Sequence, residues 1–336
     1  MKLLVVAAAL IAASVPAVPI TMTKATAEPE GGCARPDTRA TATATATARG
    51  VTRAGADAHA GADARVRQPG TGVRERNELT PSQVSAVEAQ LNGLLSGLTA
   101  TDEYGRTTTL RDRSQGQVTV PVYFHVLHDG SNGNVPSGTI ERQINVLNAS
   151  YGGGNGGADT HFRFVLRGVT RSNNPGWYSN PEQYESTFKA RLHKGKAGTL
   201  NLYSADTGDE LLGWSTFPWK YKGDPKMDGV VVHVGSMPGG SIDHFNQGFS
   251  ATHETGHWLG LYHTFQDGCS SPGDRVSDTP AERDPTNGCP LSKDTCDAPG
   301  EDPVHNYMDY GWDTCMNQFT RGQGDRMRKV WSAYRA

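Results

Sequence analysis

The sequence predicts an α/β fold for the part of the chain after about residue 116, and three features predict it. Segments with period-two apolar alternation take turns with segments of helical periodicity, the pattern of a sheet covered by helices. After residue 264 the chain turns irregular, acidic and cysteine-bearing, which predicts a loop-dominated region stapled by bridges or cations. Upstream, a long stretch lacks large apolar side chains and cannot bury enough surface to offset its ordering entropy.

The elements follow in order. After Lys2, "LLVVAAALIAASVPAV" has the apolar core and small-residue end of a secretory signal peptide, with cleavage expected after Ala27, or alternatively after Ala17. Pro16 and Pro19 interrupt the run and no stop-transfer charges follow, so a membrane span is disfavoured. Residues 28–115 are expected to form a propeptide. It holds the low-complexity run "TRATATATATARGVTRAGADAHAGADARVR" and then "LTPSQVSAVEAQLNGLLSGL", where Thr80 is placed to cap a helix that starts at Pro81. Val84, Val87, Leu91, Leu94 and Leu95 give that helix an apolar face that needs a docking partner.

Residues 116–336 form the expected globular domain. "QVTVPVYFHVLH" reads as a strand, "SGTIERQINVLNASY" as a helix with Ile140, Ile144 and Leu147 on one face, "HFRFVLRGVTR" as a strand and "NPEQYESTFKARLH" as a helix. "TLNLYSA" and "MDGVVVHVG" complete the strands, and "TRGQGDRMRKVWSAYRA" predicts a terminal helix burying Met327, Val330, Trp331 and Tyr334. "YGGGNGGAD" is glycine-rich like a phosphate loop, but it follows a helix and enters a strand, the reverse of what nucleotide binding requires, so it is read as a connector.

A formal net charge of −3 gives no reason to expect nucleic-acid or anionic-membrane partners. Among the five cysteines, Cys269, Cys289, Cys296 and Cys315 cluster in the acidic region, where eleven carboxylates face three basic residues between Asp267 and Asp313. Export permits disulfides, and four cysteines allow three pairings. Cys33, in "GGCARPD", is left over.

The stretch that carries chemistry is "ATHETGHWLGLYHTF". On a helix His253 and His257 stand one turn apart on the same face, so both imidazoles can reach one cation, with Glu254 beside them. Gly260 can end that helix in a left-handed turn and so deliver His263 as a third ligand. Three histidines leave the fourth position of a zinc ion open for water, the arrangement of a catalytic site, and Glu254 is placed to act as general base. The remaining histidines, including His125, His128, His161, His233, His244 and His305, are not spaced for a second site and are read as structural.

With these residues the chain resembles the metzincin clan of zinc metallopeptidases. The extended motif His253-Glu254-x-x-His257-x-x-Gly260-x-x-His263 is complete, and "NYMDY" resembles the clan's methionine turn, with Met308 as a hydrophobic base under the metal. Together with "GLYHTF", "GDRVSDTP" and "CMNQFTRGQGDRM", it is most similar to the pappalysin family over roughly residues 116–336.

The resemblance implies a zincin fold of two lobes. The upper lobe holds a twisted mixed sheet and the active-site helix; the lower is irregular and disulfide-bonded, with the methionine turn and the C-terminal helix. It further implies the pairing Cys269–Cys296 and Cys289–Cys315, a zinc-approaching or oxyanion-stabilising Tyr310, and a substrate-binding edge strand in "LLGWSTFPW". Calcium ligation by Asp274 and Thr279, with Asp278 as a further contributor, is implied as well. Asp313 matches an acidic residue at the base of the pocket for the residue after the cleaved bond, which favours Arg or Lys there. Cys33, with Pro36 and Asp37 at the third and fourth places after it, resembles a cysteine switch, although Ala34 and Gly32 depart from that motif.

The expected protein is therefore a secreted zinc endopeptidase, made as a zymogen, acting on proteins or peptides and free of the membrane once the signal is cut. Maturation is expected between Arg65 and Arg113, at "VRERNE" or "LRDRSQ". A zinc-holding recognition or adhesion module without activity is the rival reading, and Glu254 argues against it, because such a module needs no base. An exopeptidase with the same helix is a third, told apart by whether internal bonds are cut. The natural substrate and oligomeric state stay open at this stage.

Overall fold

The computed structural model describes residues 79–98, 100–101, 107–108 and 116–336. The signal-peptide assignment, Cys33 and the Arg-rich maturation sequences fall outside them. Helix α1, Pro81–Gly97, opens with a reciprocal capping box between Thr80 and Gln83. Of its apolar face only Val84 and Leu91 are fully buried, and Leu94 stays exposed. Short strands β1, Ala100–Thr101, and β2, Thr107–Thr108, pair antiparallel.

The sheet that organises the rest contains β3 (Val118–His128), β4 (Phe162–Asn173), β5 (Leu200–Ala205), β6 (Gly213–Ser215) and β7 (Val230–His233), in the order β4-β3-β5-β7-β6. Three of its four pairings are parallel, β3 with β4 and β5, and β5 with β7, while β6 closes the edge antiparallel to β7. Parallel neighbours need crossovers. Helix α2 (Ser137–Tyr151) supplies the first, and α3 (Pro175–Ser179) with α4 (Pro181–Leu192) the second.

Because side chains alternate along a strand, the two sheet faces make two cores. Val120, Val122, Phe124 and Val126 of β3, with Leu200, Leu202, Val230 and Val232, pack under α2 and the active-site helix α5 (Phe249–Trp258). Leu127, Tyr203, Ala205 and Val231 point the other way and meet Trp177 and Phe188 of α3 and α4. The predicted α/β alternation is thus present, and the sheet is mixed.

After Gly260 regular structure stops until α6, Arg321–Tyr334. Disulfides join Cys269 to Cys296 and Cys289 to Cys315, each with Cα atoms 5.5 Å apart, across 27 and 26 residues of chain. Loop closure of that length restricts the unfolded chain by about 3–4 kcal/mol each in the chain-entropy account, which suits a region with little apolar core. Buried polar bonds add to it: Lys293 Nζ donates to Glu282 at 2.6 Å, and Glu282 accepts from Thr264 Oγ1 at 2.6 Å, tying this lobe to the residue after His263. Helix α6 buries Met327 and Val330 as expected, leaves Trp331 and Tyr334 half-buried, and unexpectedly buries Arg326, as the residue just past its end, Arg335, is buried too. Among the described residues no helix is long and apolar enough to cross a membrane.

Candidate active site

Helix α5 is buried along its whole length. Its C-terminus is a Schellman motif: Leu261 N–H donates to Gly256 O at 3.0 Å and Gly260 N–H to His257 O at 2.8 Å. Gly260 takes φ +97°, which only glycine adopts without strain. That turn swings the chain back under the helix and brings His263 beside His253 and His257.

The three imidazoles converge on one point. His257 Nε2 lies 3.0 Å from both His253 Nε2 and His263 Nε2. The opposite nitrogens are occupied: His253 Nδ1 donates to Tyr307 O at 2.7 Å and His257 Nδ1 to Leu261 O at 2.8 Å. Those bonds put the proton on Nδ1 and leave the Nε2 lone pair facing the cluster. Burial, followed by the neighbouring His263, drives the His257 pKa well below its ordinary value, so the ring is neutral. Three imidazole nitrogen donors aimed at one point are a donor set that fits zinc.

Around this cluster stand the other predicted residues. Glu254 is buried beside it, and a Cβ on Gly213 of β6 would come 3.1 Å from Glu254 Cγ, so the antiparallel edge strand runs directly past the carboxylate. Met308 lies beneath the helix, its sulfur occupying the space a Cβ on Gly256 would need. Tyr310 Oη sits 3.4 Å from His263 Nε2, and its ring packs against His263 and Phe265. Asp313 is buried and accepts from Gln247 N–H at 2.8 Å, which anchors it to the loop leading into α5.

The acidic loop divides the residues expected to hold calcium. Asp274 and Thr279 line a cavity of about 530 Å³, and Asp274 Oδ2 and Thr279 Oγ1 are buried with no hydrogen-bond partner. Burial pushes the Asp274 pKa up to about 7. Asp278 is not part of this set. Its two oxygens cap α6, accepting from Thr320 Oγ1 and Gly322 N–H, both at 2.8 Å.

Several contributors escape sequence reasoning. Phe217 stands edge-on to His257 at 5.5 Å and Phe265 stacks on His263 at 4.7 Å. Phe265, two residues past His263, and Tyr307, just before Met308, were readable by adjacency; Phe217 and Glu282 carried no local signal.

The chain matches the peptidase M43 family profile, described as pregnancy-associated plasma protein-A, over residues 224–332. It is 40% identical over 250 residues, 73% of this chain and 82% of that protein, to an extracellular metalloprotease of Arthroderma benhamiae. Among solved structures it is similar to mature mirolysin of Tannerella forsythia in complex with a cleaved peptide, with TM-score 0.56 and 31% identity over 65% of this chain and 92% of that one. A promirolysin mutant from the same organism gives TM-score 0.61 and 27% identity over 75% and 89%. With a mixed sheet, a converging histidine triad and these relatives, the chain belongs to the pappalysin-like M43 peptidases and is a metzincin zinc metalloendopeptidase.

Proposed function

We propose that the protein is a secreted endopeptidase made as a zymogen, with His253, His257 and His263 as zinc ligands and Glu254 as general base. The convergence of three Nε2 atoms, with the Nδ1 atoms of His253 and His257 already bonded to backbone carbonyls, carries this reading. Zinc held there supplies Lewis acidity that brings the pKa of water toward neutrality and polarises a peptide carbonyl. Glu254, next to the ligands and shielded from solvent, takes the proton from the attacking water and returns it to the leaving amine. Tyr310 Oη is within reach of the same point and donates to the developing oxyanion.

Strand β6 is short, antiparallel and at the sheet edge, and so suits addition of an extended peptide through main-chain hydrogen bonds. The cleaved peptide in the mirolysin complex agrees with a peptide substrate. Asp313 selects Arg or Lys after the scissile bond by charge pairing, and Asp274 with Thr279 takes a calcium ion whose positive charge the buried carboxylate lacks. Latency is assigned to residues upstream of the catalytic part, with Cys33 as the thiolate that occupies the open zinc position. The relative that exists as promirolysin supports a proenzyme.

The test is chelator-sensitive cleavage of a blocked Arg-containing peptide by the purified protein. Glu254→Gln is expected to lower kcat by about 10²–10⁴-fold with zinc content unchanged; equal activity in that variant rules out the base assignment.

A further inference from the structure

Helix α1 comes from the stretch that composition assigns to a discardable leader, yet it is built into the turn that delivers the third histidine. Val84, Glu88 and Leu91 share one helical face, and Val84 and Leu91 are fully buried. Val84 packs with Phe217 and Tyr262, and Phe217 in turn stands against His257. Between the two apolar residues, Glu88 takes two hydrogen bonds from Arg326 of α6, at 2.6 and 3.2 Å, and a third from Tyr262 Oη at 3.0 Å.

Each of those partners leads to the zinc-binding turn. Arg326 is buried, lies 4.6 Å over the Tyr262 ring and donates from Nε to Gly260 O at 2.9 Å. Tyr262 immediately precedes His263. Leu79 O accepts from Gln266 Nε2 at 3.4 Å on the far side of that histidine. One carboxylate on α1 therefore fixes the guanidinium and the phenol that hold residues 260–262. Removal of α1 strips the only carboxylate bonded to Arg326 among the described contacts, leaves a buried cation unpaired, and opens the Phe217–Tyr262 apolar pocket. Burial pushes the Glu88 pKa up, but the Arg326 and Tyr262 bonds outweigh it and lower it, so the carboxylate is charged at neutral pH.

We propose that helix α1 stays with the active enzyme and that Glu88 is a positioning residue for His263, so that maturation cuts the chain before Leu79 and not at "LRDRSQ". The proposal rests on the zinc assignment above. It differs from a general stabilising role in predicting that metal retention, not only folding, depends on Glu88.

The experiment combines intact-mass analysis of the active protein with zinc release. The full chain is expressed, allowed to mature, and the active preparation weighed; residues 81–97 are expected to be present. Glu88→Ala, Glu88→Gln and Tyr262→Phe are then challenged with a chromogenic chelator. Glu88→Ala is expected to release zinc at least 10-fold faster than wild type, with kcat reduced more than KM is raised, and Glu88→Gln, which keeps the Tyr262 bond, to fall between. Should Glu88→Ala not fold, Glu88→Gln and Tyr262→Phe give the same readout. An active preparation lacking residues 81–97 overturns the proposal, as does a set of variants that melt lower but release zinc at the wild-type rate. Wild-type protein that binds no zinc at all would instead overturn the metal assignment beneath it.

Discussion

Gly260→Ala tests whether the bend after α5 is what assembles the three histidines. Two costs can be separated. A non-glycine residue held at φ +97° is outside the regions open to L side chains, a penalty of about 1–3 kcal/mol. An added Cβ would also meet Val330 of α6 at 2.6–3.0 Å, three carbon contacts at once, and overpacking of that kind costs about 1–3 kcal/mol. Val330 is buried and α6 is held on either side of it, by Arg326 on Gly260 O and by Arg335 on Trp258 O, so the helix cannot simply move aside.

Together the substitution is expected to cost about 2–6 kcal/mol, or a fall in Tm of about 4–24 °C for a domain of this size. Differential scanning fluorimetry reads the fall, and zinc stoichiometry reads the consequence for His263. Because the strain sits between the second and third ligands, zinc occupancy should drop even at temperatures where the protein is folded. A variant with Tm within about 1 °C of wild type and full zinc occupancy would refute the argument.

Other expectations follow from single observations. His125 is buried with Nε2 donating to Asn201 Oδ1 and Nδ1 accepting from Thr170, and burial above all lowers its pKa to about 4. A base with a depressed folded pKa contributes stability that is present above about pH 6.5 and lost as pH falls toward 4. Urea titrations should show about 3 kcal/mol lost over that window, and His125→Asn should remove that part of the slope; an unchanged slope assigns it to other groups. Replacing Cys289 and Cys315 together by serine should cost about 3–4 kcal/mol in chemical denaturation, and a cost near zero would show the lobe already constrained without the bridge. Asp313→Ala should reduce kcat/KM for peptides with Arg after the scissile bond by 10-fold or more relative to Leu there, measured by competition; equal loss for both would mean that Asp313 serves the loop at Gln247 and not the substrate. Calcium should raise Tm more at pH 8 than at pH 5, since below about 7 a proton competes for the Asp274 carboxyl; a pH-independent shift would place any calcium elsewhere.

The sheet and the metal cluster were legible because their signals are local. Alternation of Val120, Val122, Phe124 and Val126 is itself the record of which sheet face α2 and α5 cover. The spacing of His253, His257, Gly260 and His263 encodes both the shared helix face and the turn that follows it. Residues joined only through the tertiary fold carried no such record. Glu282 meets Thr264 across eighteen residues, and Glu88 meets Arg326 across 238. Asp278 shows the converse: its neighbours place it in an acidic loop suited to a cation, and only the tertiary fold reveals that its carboxylate accepts from Thr320 Oγ1 and Gly322 N–H at the N-terminus of α6.

The same distinction applies to helix α1. Its cap and apolar face are local and predict a helix in need of a docking partner, but nothing in the low-complexity run upstream or in the helix itself names that partner. Its buried face holds a charge, and a charge inside an apolar stripe has a low energy only where a fixed counter-charge awaits it. Arg326 meets that requirement from the last helix of the chain, and it also holds the carbonyl of Gly260. Helices from the two ends of the described chain therefore meet at the one turn on which the third histidine depends. A turn that glycine makes easy to form is also easy to distort, and the ion pair supplies the rigidity that the residue type gives up.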